Sequence, residues 1–388
     1  MKNHKALEAW KISHQPFHWF VEFYGIMSSG GFDVIIGNPP YVEYKNVKET
    51  YRIRDYSTEE CGDLYAYVME RSRDLIGSTG TFGMIVPVSI VGTDGFHALR
   101  ERLLCDQKTS WFMGFAERPS KLFNGVEKRL AIWLSNGSEA AGNLHASKYH
   151  RWFSDERSHL FPAIHFTGKC QTPDLVSSSL PKIASTLERN ILEKLGDKQD
   201  RLDAFWRKTS QYIVYYTRKV RYFVQFFDFV PEIRNSKGKL IEPSELKTIA
   251  LSNEIERDLV LAVLNSGIFF WFFNTYSDVR NVNKREIDAF PCSISRFSSD
   301  IKAQIKRLVK RLMKDFKLNA KTLTNNYGAY GTLSIQTFQP RLSKPIIDEI
   351  DRVLGKHYGF TDEELDFIIN YDIKYRMGSA GDENGDDE

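Results

Sequence analysis

The chain has 388 residues, of which 42% are hydrophobic and 27% are charged, a composition typical of a globular protein with two or three domains. The formal net charge of +3 fits a nucleic-acid partner without indicating one, because binding depends on how the cations cluster. The four cysteines form no C-x-x-C pair, which argues against a disulfide framework or a structural zinc site and fits a reducing cytoplasm.

The sequence shows neither the pattern of a signal peptide nor that of a membrane-spanning helix. Residues 1–19 lack the charged start and apolar middle of a signal peptide. The most apolar run, Leu259–Phe273, is interrupted by Asn, Ser and Gly and is shorter than the roughly 20 residues of a membrane span. We therefore predict a cytoplasmic protein with no membrane partner, and a buried helix at this run.

The first elements alternate between strand and helix. Phe32–Gly37 is predicted to be a short buried strand, because its apolar, β-branched residues end at a glycine and two prolines. A helix over 63–76 follows, then a turn at Gly77–Gly80, and a second strand at Phe82–Val86 that ends before a proline. The first strand therefore delivers Asn38 to a loop.

Two further strands are predicted at Trp111–Phe115 and Leu130–Leu134. Residues 31–135 thus have the pattern of the later strands and helices of a doubly wound α/β sheet. Asn136–Asn143 is predicted to be a linker, and from about His145 the sequence predicts aromatic-rich, irregular segments. A domain boundary is expected there.

The last third of the chain is predicted to be largely helical. Ile301–Phe316 has one apolar face and many cations elsewhere, which is more often a solvated face than a DNA-binding rail. Lys344–Tyr375 forms a further helical unit, in which Thr361 and Glu364 have the spacing of a capping box. Beyond Gly378 the acidic tail is predicted to be disordered.

Asn38, Pro39, Pro40 and Tyr41 have the pattern of a catalytic loop for methyl transfer to an exocyclic amine. Such a transfer needs acceptors for both amino protons, so that the nitrogen lone pair points at the methyl group. The Asn38 side-chain oxygen and the Pro39 carbonyl oxygen can accept them, and the two proline rings fix the backbone direction. The alternative interpretation is a strand followed by a polyproline turn.

A base in duplex DNA must be turned out of the stack before its amine can react. Tyr41 can then lie against the flipped base. These four residues resemble motif IV of the amino-methyltransferases, in the form typical of adenine-N6 enzymes. Asp63–Tyr65, Gly80–Pro87 and Leu122–Ile132 resemble motifs V, VI and VIII of that family, in the same order.

The resemblance implies roles for two further residues. Phe123 matches the motif VIII aromatic residue that packs on the second face of the flipped adenine, although by residue type alone it is as readily a core residue. Asp63 falls where motif V residues line the pocket for S-adenosylmethionine (SAM), although an Asp before a helix is usually a cap. His159, His165 and Cys170 are not spaced as metal ligands, so no metal is predicted.

The second half resembles the target-recognition domains of long restriction-modification and phage-defence methylases, most strongly at residues 259–291. The resemblance implies an α/β fold class, with a partial doubly wound, Rossmann-like methyltransferase sheet followed by a mixed α/β recognition domain and C-terminal helices. The predicted domains are the C-terminal half of the catalytic domain with motifs IV to VIII (1–140), the recognition domain (141–342), the C-terminal helices (343–378) and the acidic tail (379–388).

Candidate DNA contacts come from a segment that interleaves aromatic and basic residues, and from a second short basic pair. Such a mixture can offer cations to phosphates and rings to bases. The equally weighted alternative for the first segment is an aromatic strand pair joined by a basic turn. The candidates are Tyr215, Tyr216, Arg218, Lys219, Arg221, Lys284 and Arg285.

Family members of this type have a Gly-rich SAM loop upstream of motif IV, and residues 1–37 contain none. Three interpretations follow: a split methyltransferase whose partner chain carries the SAM loop, a truncated remnant, or a fragment of a longer gene. The leading hypothesis is SAM-dependent adenine-N6 methylation of specific sites in double-stranded DNA. The alternatives are a catalytically inactive DNA-recognition subunit and glutamine-N5 methylation of a protein.

Overall fold

The computed structural model describes residues 4–50, 52–105, 109–137, 143–168, 173–198, 200–328 and 331–378. The predicted acidic tail, Cys170 and most of the predicted linker lie outside the described residues. The described chain is mixed α/β and divides into two compact units. The first unit comprises Met1–Val86, Ala98–Phe112 and Ile132–Leu144, and the second comprises Pro87–His97, Met113–Ala131 and His145–Glu388.

The amino-terminal part of the chain alternates helices and strands. Its elements in chain order are α1 (His4–His14), α2 (Trp19–Glu22), α3 (Tyr24–Ser28), β1 (Phe32–Gly37), α4 (Leu64–Leu75), β2 (Ile76–Pro87), α5 (Ser89–Gly92), α6 (His97–Leu104), β3 (Thr109–Phe115), β4 (Leu130–Asn136) and β5 (Leu144–His150).

The remainder combines short strands with longer helices. Its elements are α7 (Thr186–Gly196), β6 (Tyr212–Tyr216), β7 (Phe226–Phe227), β8 (Ile233–Asn235), β9 (Leu240–Ile241), β10 (Lys247–Leu251), α8 (Glu254–Asn265), α9 (Gly267–Tyr276), α10 (Lys284–Ala289), α11 (Ser299–Leu318), β11 (Lys321–Asn326), β12 (Thr332–Thr337), α12 (Lys344–Tyr358), α13 (Asp362–Asn370) and α14 (Ile373–Arg376).

A five-stranded sheet has the strand order β1-β2-β4-β3-β5. β1 runs parallel to β2, with Val34 opposite Thr81 and Gly37 opposite Met84. The four strands predicted from sequence are confirmed, because each coincides with or lies within one of β1 to β4. The domain boundaries predicted at residues 140 and 342 stay predictions.

The turn predicted at Gly77–Gly80 is wrong. β2 begins at Ile76 and runs through both glycines, and its register against β1 shifts between Phe32 and Val34. A Cβ atom at Gly80 would lie 2.7 Å from the Phe32 carbonyl oxygen. The glycines therefore make room for an irregularity within the strand, as glycine commonly does at a bulge.

The prediction that β1 is buried is also wrong. Val34 is 62% exposed and Ile36 is 82% exposed. Within the described residues β1 is the edge of its sheet, with β2 as its neighbour. The described residues leave the apolar side chains of Val34 and Ile36 uncovered. Helices α1 to α3 likewise bury none of their residues.

The irregular structure predicted from His145 is wrong at its start, because β5 extends to His150 and closes the other edge of the sheet. Its buried residues include Ala146 and Tyr149. Beyond it, the strand orders are β10-β6-β7 in one sheet and β11-β12-β8-β9 in another. The basic helix is confirmed as α11. The capping box is confirmed too, since Glu364 N–H donates to Thr361 Oγ1 and Thr361 N–H donates to the Glu364 carboxylate.

The apolar run Leu259–Phe273 is buried as predicted, but it forms two helices, α8 and α9, bent by 60°. The bend falls at Ser266, whose Oγ accepts a 3.0 Å hydrogen bond from Phe269 N–H and caps α9. The Asp351 carboxylate accepts a second bond, from Gly267 N–H. Among the described residues no single helix has the length and apolarity to cross a membrane, and only this bent pair, taken together, meets that test.

Candidate functional site

The loop of Asn38, Pro39, Pro40 and Tyr41 begins directly after β1, and all four residues lie in the first unit. Asn38 and Pro40 are exposed, whereas Pro39 is buried. The parallel pairing of β1 with β2 fixes where the strand ends, and the two proline rings restrict the backbone beyond it. The sequence therefore presents the Asn38 side chain at the end of a strand, as predicted.

The Tyr41 hydroxyl lies between two acceptors. It is 2.6 Å from Asn38 Oδ1 and 2.9 Å from the Ile85 carbonyl oxygen in β2. A single hydroxyl hydrogen can be donated to only one of them at a time. Burial raises the pKa of Tyr41 to about 12, so the hydroxyl remains a donor at neutral pH. Its contact with Asn38 orients the Asn38 amide.

The Tyr41 ring packs against a second aromatic side chain. It meets Tyr65 of α4 edge to face, with ring centroids 6.4 Å apart and planes at 90°. Tyr65 is 1% exposed, whereas Tyr41 is half-buried. Tyr41 is therefore held by its ring contact with Tyr65 and by its hydroxyl contacts. The sequence analysis placed Tyr41 in the catalytic loop and against the base but did not predict this positioning role.

Asn38 Oδ1 keeps the ability to accept a second hydrogen bond while it accepts one from Tyr41. A carbonyl oxygen has two lone pairs, and the Asn38 side chain is exposed. The chemistry available at this point is thus a fixed neutral acceptor at the end of a strand, suited to an N–H donor from outside the chain. The acceptor at Ile85 was also missed, because a main-chain carbonyl has no signature in the sequence.

The chain beyond Tyr41 is fastened to the start of α4. Tyr44 N–H donates to the Gly62 carbonyl oxygen over 2.7 Å, and Leu64 N–H donates to the Val42 carbonyl oxygen over 2.9 Å. Glu43 and Asp63 form the bridge between these bonds. Asp63 is half-buried at the residue that precedes α4, so it is brought next to the segment that leaves the catalytic loop.

A buried carboxylate holds the next part of this segment. Glu70 of α4 accepts hydrogen bonds from the backbone and hydroxyl groups of both Ser57 and Thr58, the shortest at 2.6 Å from Thr58 Oγ1. Burial favours the neutral acid, but these bonds outweigh it and lower the pKa of Glu70. The loop that follows the candidate site is therefore anchored to the helix by an ionised side chain.

Phe123 belongs to the second unit, whereas the other candidate catalytic residues belong to the first. Its side chain is 36% exposed, and the preceding Leu122 is buried. Arg157 donates to the Leu122 carbonyl oxygen over 2.8 Å, which fixes the backbone beside Phe123. The ring is therefore accessible for stacking and is not part of the core, and its role on the base stays a prediction.

Among the candidate DNA contacts, the aromatic pair separates into one accessible and one buried ring. β6 pairs with β7, with Tyr215 opposite Phe227 and Tyr216 opposite Phe226, so the strand-pair interpretation is confirmed. Tyr216 is 5% exposed and its ring is stacked on Phe226 with centroids 5.1 Å apart. The Tyr216 ring therefore packs in the core, and its contact with DNA stays a prediction. Tyr215 is half-buried.

The cations of the turn after β6 are exposed. Arg218, Lys219 and Arg221 lie on the surface, and Arg218 donates to Asn283 Oδ1 over 2.6 Å. Lys284 is also exposed, with its Nζ 3.9 Å from an Asp288 carboxylate oxygen. These four remain candidates for DNA contacts.

Arg285 makes several contacts within the chain, and its contact with DNA stays a prediction. Its guanidinium donates to the Gly92 carbonyl oxygen over 2.5 Å and to Ser179 Oγ over 2.6 Å, and its Nε lies 2.6 Å from an Asp94 carboxylate oxygen. Five guanidinium N–H groups cannot serve these partners and a phosphate equally well. The chemistry of arginine was read correctly from the sequence, but its partners were not.

The basic face of α11 makes ion pairs with other helices. Lys306 pairs with Glu254 over 2.7 Å, and Arg311 donates to both carboxylate oxygens of Glu349 over 2.7 and 2.9 Å. These pairs are exposed and are worth little individually. They match the interpretation of this helix as a solvated surface.

The described residues do not by themselves fit SAM. Asp63 is the only SAM candidate among them, and its backbone is committed to the bridge with Glu43. The chain supplies an acceptor for the target amine, and a glycine loop for the cofactor is absent from residues 1–37. No group of His, Cys, Asp and Glu in the described parts of the chain is arranged to hold a metal ion.

Residues 2–123 match the Eco57I restriction-modification methylase family. A curated protein of Methanocaldococcus jannaschii, named as a type II restriction enzyme and methyltransferase, is 35% identical over 89 residues. That match covers 23% of this chain and 8% of the relative. The segment that contains Asn38 to Tyr41 is therefore similar to restriction-modification methylases, and the chain spans a small fraction of this curated relative.

Two solved structures are similar over different shares of the chain. The type IIL restriction-modification enzyme MmeI in complex with DNA is 12% identical, with a TM-score of 0.47, over 88% of this chain and 57% of MmeI. The DrdV–DNA complex is 18% identical, with a TM-score of 0.30, over 38% of this chain and 18% of DrdV. At these scores neither likeness decides the fold or the function.

Proposed function

We propose that this chain carries the target-base side of a SAM-dependent adenine-N6 DNA methyltransferase that belongs to a restriction-modification or phage-defence system. The single observation that supports this most is the Asn38–Tyr41 hydrogen bond at the end of β1, within a segment that matches a restriction-modification methylase family. A strand followed by a plain polyproline turn has no need of a tyrosine hydroxyl aimed at the amide.

In this proposal Asn38 Oδ1 accepts a hydrogen bond from one N–H of the adenine amino group, and the Pro39 carbonyl oxygen accepts one from the other N–H. The amino lone pair is then directed out of the ring plane. Tyr41 fixes the Asn38 amide through its hydroxyl, and the exposed Phe123 ring stacks on the base once the base has been flipped out of the duplex. Pro40 limits the loop to one backbone path.

SAM would supply the methyl group. Because the described residues do not fit it alone, we propose that a polypeptide segment with a Gly-rich loop adds to the sheet at β1, either from the same polypeptide or from a partner chain. The exposed side chains of Val34 and Ile36 support this, since an edge strand with apolar outward residues is a site for pairing. Asp63 would then lie on the cofactor side.

Duplex DNA is the proposed substrate, with recognition by residues 141–342 and a partial doubly wound sheet in residues 1–140. The exposed cations Arg218, Lys219, Arg221 and Lys284 support DNA binding, because surface lysines and arginines neutralise phosphates. Residues 343–378 would brace the recognition domain. Glutamine-N5 methylation of a protein gives these cations no role.

The variant Asn38→Ala tests the proposal. The measurement is transfer of labelled methyl groups from SAM to duplex DNA by the full chain, with the protein encoded immediately upstream added in a parallel series. We expect Asn38→Ala to lose transfer by about 100-fold or more, as when one preorganised hydrogen-bonding group is removed from an active site. DNA affinity should stay within about twofold of that of the wild type, since the lost contact is to one base.

The matched control is Asn46→Ala, which removes an exposed asparagine eight positions further along the chain. It should retain wild-type transfer. Equal transfer by the Asn38→Ala and wild-type proteins would reject the assignment of the site. Labelled glutamine in a protein substrate, with unlabelled DNA, would support glutamine-N5 methylation.

A second candidate function is DNA recognition without methyl transfer, which the exposed cations Arg218, Lys219 and Lys284 support independently of any methyl-transfer site. Isothermal titration with SAM, with and without the upstream protein, separates the two. Binding in either series supports the methyltransferase. DNA binding with no SAM binding in both series supports the recognition subunit.

A further inference from the structure

A cavity in the second unit is lined largely by cations. Its volume is about 180 Å³, more than ten times the roughly 10–15 Å³ that accommodates one water molecule. Six cationic side chains and one carboxylate, that of Glu117, contribute to its lining. The cations are Arg118, Arg129, Arg151, Lys219, Arg221 and Arg280.

Two of these cations are neutralised by acids of the chain. Arg129 forms an ion pair with Glu117 over 2.7 Å. Arg151 is buried, pairs with Asp372, and donates to Asn274 Oδ1 over 2.8 Å. These two cations are therefore held in place by ion pairs within the chain.

The remaining cations come from three separate segments and are exposed to solvent. Arg118 follows β3, Lys219 and Arg221 lie in the turn after β6, and Arg280 follows α9. Glu117 is the only carboxylate among the lining residues. Cations that converge from distant segments repel one another unless an anion lies between them.

Two of these segments are held together by backbone contacts. Lys219 and Asn281 form a bridge, and Val282 N–H donates to the Arg218 carbonyl oxygen over 2.8 Å. Val279 adopts a left-handed conformation, with φ of +58°, although its side chain is β-branched. Such a conformation persists only where the surroundings impose it. The turn that presents Arg280 is thus fixed in an unfavourable backbone conformation.

The lining of the cavity also includes buried side chains. Tyr149 is 2% exposed, Val279 is 4% exposed and Val220 is 8% exposed. The Arg151 guanidinium lies over the Tyr149 ring, 5.0 Å from its centroid. A charged group bound here is partly shielded from water, which strengthens its attraction to the surrounding guanidinium groups.

We propose that this basic cavity binds a phosphate group of the nucleic-acid backbone. Guanidinium groups donate paired hydrogen bonds that match phosphate oxygens, and a lysine adds a point charge. The choice of a backbone phosphate over a free anion rests on the proposed function, in which this chain binds DNA. The cavity extends the predicted contacts at Lys219 and Arg221 to Arg118 and Arg280, which sequence reasoning did not single out.

The test compares two double variants of the full chain. Lys219→Gln with Arg280→Gln removes two cations of the cavity. Lys310→Gln with Lys314→Gln removes two exposed cations of α11 and serves as the matched control. The binding of each to a labelled duplex is measured by fluorescence anisotropy at several salt concentrations, with thermal melts to verify folding.

The cavity variant is expected to bind DNA more weakly, and the slope of log affinity against log salt should become shallower by about 2, one for each lost phosphate contact. The control variant should keep the wild-type slope. Equal changes in slope for both variants, or none for the cavity variant, would overturn the inference. So would equal competition by DNA and by poly-glutamate of the same charge.

Methyl transfer is scored separately on the wild-type protein. If the slope of log affinity against log salt is shallower for the cavity variant than for the wild type, the phosphate site stands even where no methyl group is transferred. If the wild type transfers methyl groups and the cavity variant binds DNA like the wild type, the site fails and the proposed function stands. A wild-type chain that binds no duplex overturns both.

Discussion

The apolar residues of β1 and those of α9 have opposite environments. Every residue of α9 is buried, including Ile268 at 0% exposure, whereas Ile36 of β1 is 82% exposed. Both segments are short apolar runs in the sequence, and both adopt regular structure. Hydrophobic patterning therefore predicts the element, while burial depends on what else packs against it.

The largest expected effect is a difference in the free energy of unfolding between alanine substitutions at Ile268 and at Ile36. Ile268→Ala should lower the free energy of unfolding by about 2–5 kcal/mol, because it leaves a cavity among close-packed side chains. Ile36→Ala removes the same atoms from an exposed site and should change it by less than about 0.5 kcal/mol. Urea unfolding followed by circular dichroism measures both. A loss at Ile36 comparable with that at Ile268 would show that β1 is covered in solution.

Buried and exposed positions are also expected to differ in how they make stability depend on pH, and His150 is the buried example. Burial, and then the nearby charge of Lys148, lowers the pKa of His150 to about 3, and its ring stacks on Phe115 with centroids 5.7 Å apart. Because the folded-state pKa is depressed, the contribution of His150 to stability is present above the unfolded pKa near 6.5 and is lost as pH falls towards 3.

We expect His150→Gln to flatten the stability profile below pH 6.5, where the wild-type residue contributes a slope of up to about 1.4 kcal/mol per pH unit. The control is His4→Gln, at an exposed position in α1, which should leave the slope as in the wild type. Urea midpoints at pH 7.5, 6.0 and 5.0 provide the measurement. An unchanged profile for His150→Gln would place the acid sensitivity elsewhere.

The exposed face of β1 predicts association. Val34→Lys with Ile36→Lys should shift the sedimentation profile towards monomer and weaken binding to any added segment that completes the sheet, because charges on an edge strand oppose pairing. Leu240→Lys, at a position that is 53% exposed in β9, is the control and should leave association unchanged. Identical association in all three proteins would argue that β1 is not the pairing edge.

The sequence could predict those parts of the candidate site whose residues are close together along the chain. Asn38, Pro39, Pro40 and Tyr41 are consecutive, and both the strand before them and the position of Asn38 in the loop at its end could be predicted. The bond from Tyr41 to the carbonyl oxygen of Ile85 joins residues 44 positions apart, and no local pattern encodes it. The environments of Val34 and Ile36 could not be predicted either, because alternation and β-branching specify a strand but not its neighbours.

Two of the DNA-contact candidates make contacts within the chain that the sequence could not predict. Tyr216 and Arg285 have the chemistry that nucleic acids require, but Phe226 and the Gly92 carbonyl oxygen occupy their rings and donors within the chain. Composition cannot distinguish a cation that faces solvent from one that satisfies buried carbonyls. The sequence analysis did not select Arg280, because it is distant from Lys219 in the sequence and only the fold brings the two together.

The smallest expected effect concerns the hydroxyl of Tyr41. Tyr41→Phe keeps the ring against Tyr65 and removes the hydrogen bond that orients Asn38. One hydrogen bond contributes about 0.5–1.5 kcal/mol, so methyl transfer should fall by about 2- to 12-fold if the hydroxyl acts only through the orientation of Asn38. The control is Tyr24→Phe, at a position that is 72% exposed, which should retain wild-type transfer.

A second measurement distinguishes positioning from a merely structural role. In the Asn38→Ala background the Tyr41→Phe substitution should have no further effect on transfer, because the residue that Tyr41 orients is already absent. The thermal midpoints of the Asn38→Ala variant and of the double variant should match. Additive losses would assign the hydroxyl an independent contact with the substrate. Since burial keeps the pKa of Tyr41 near 12, the Tyr41→Phe effect should be constant between pH 6 and pH 9, and an effect that grows with pH would reject a neutral phenol as the donor.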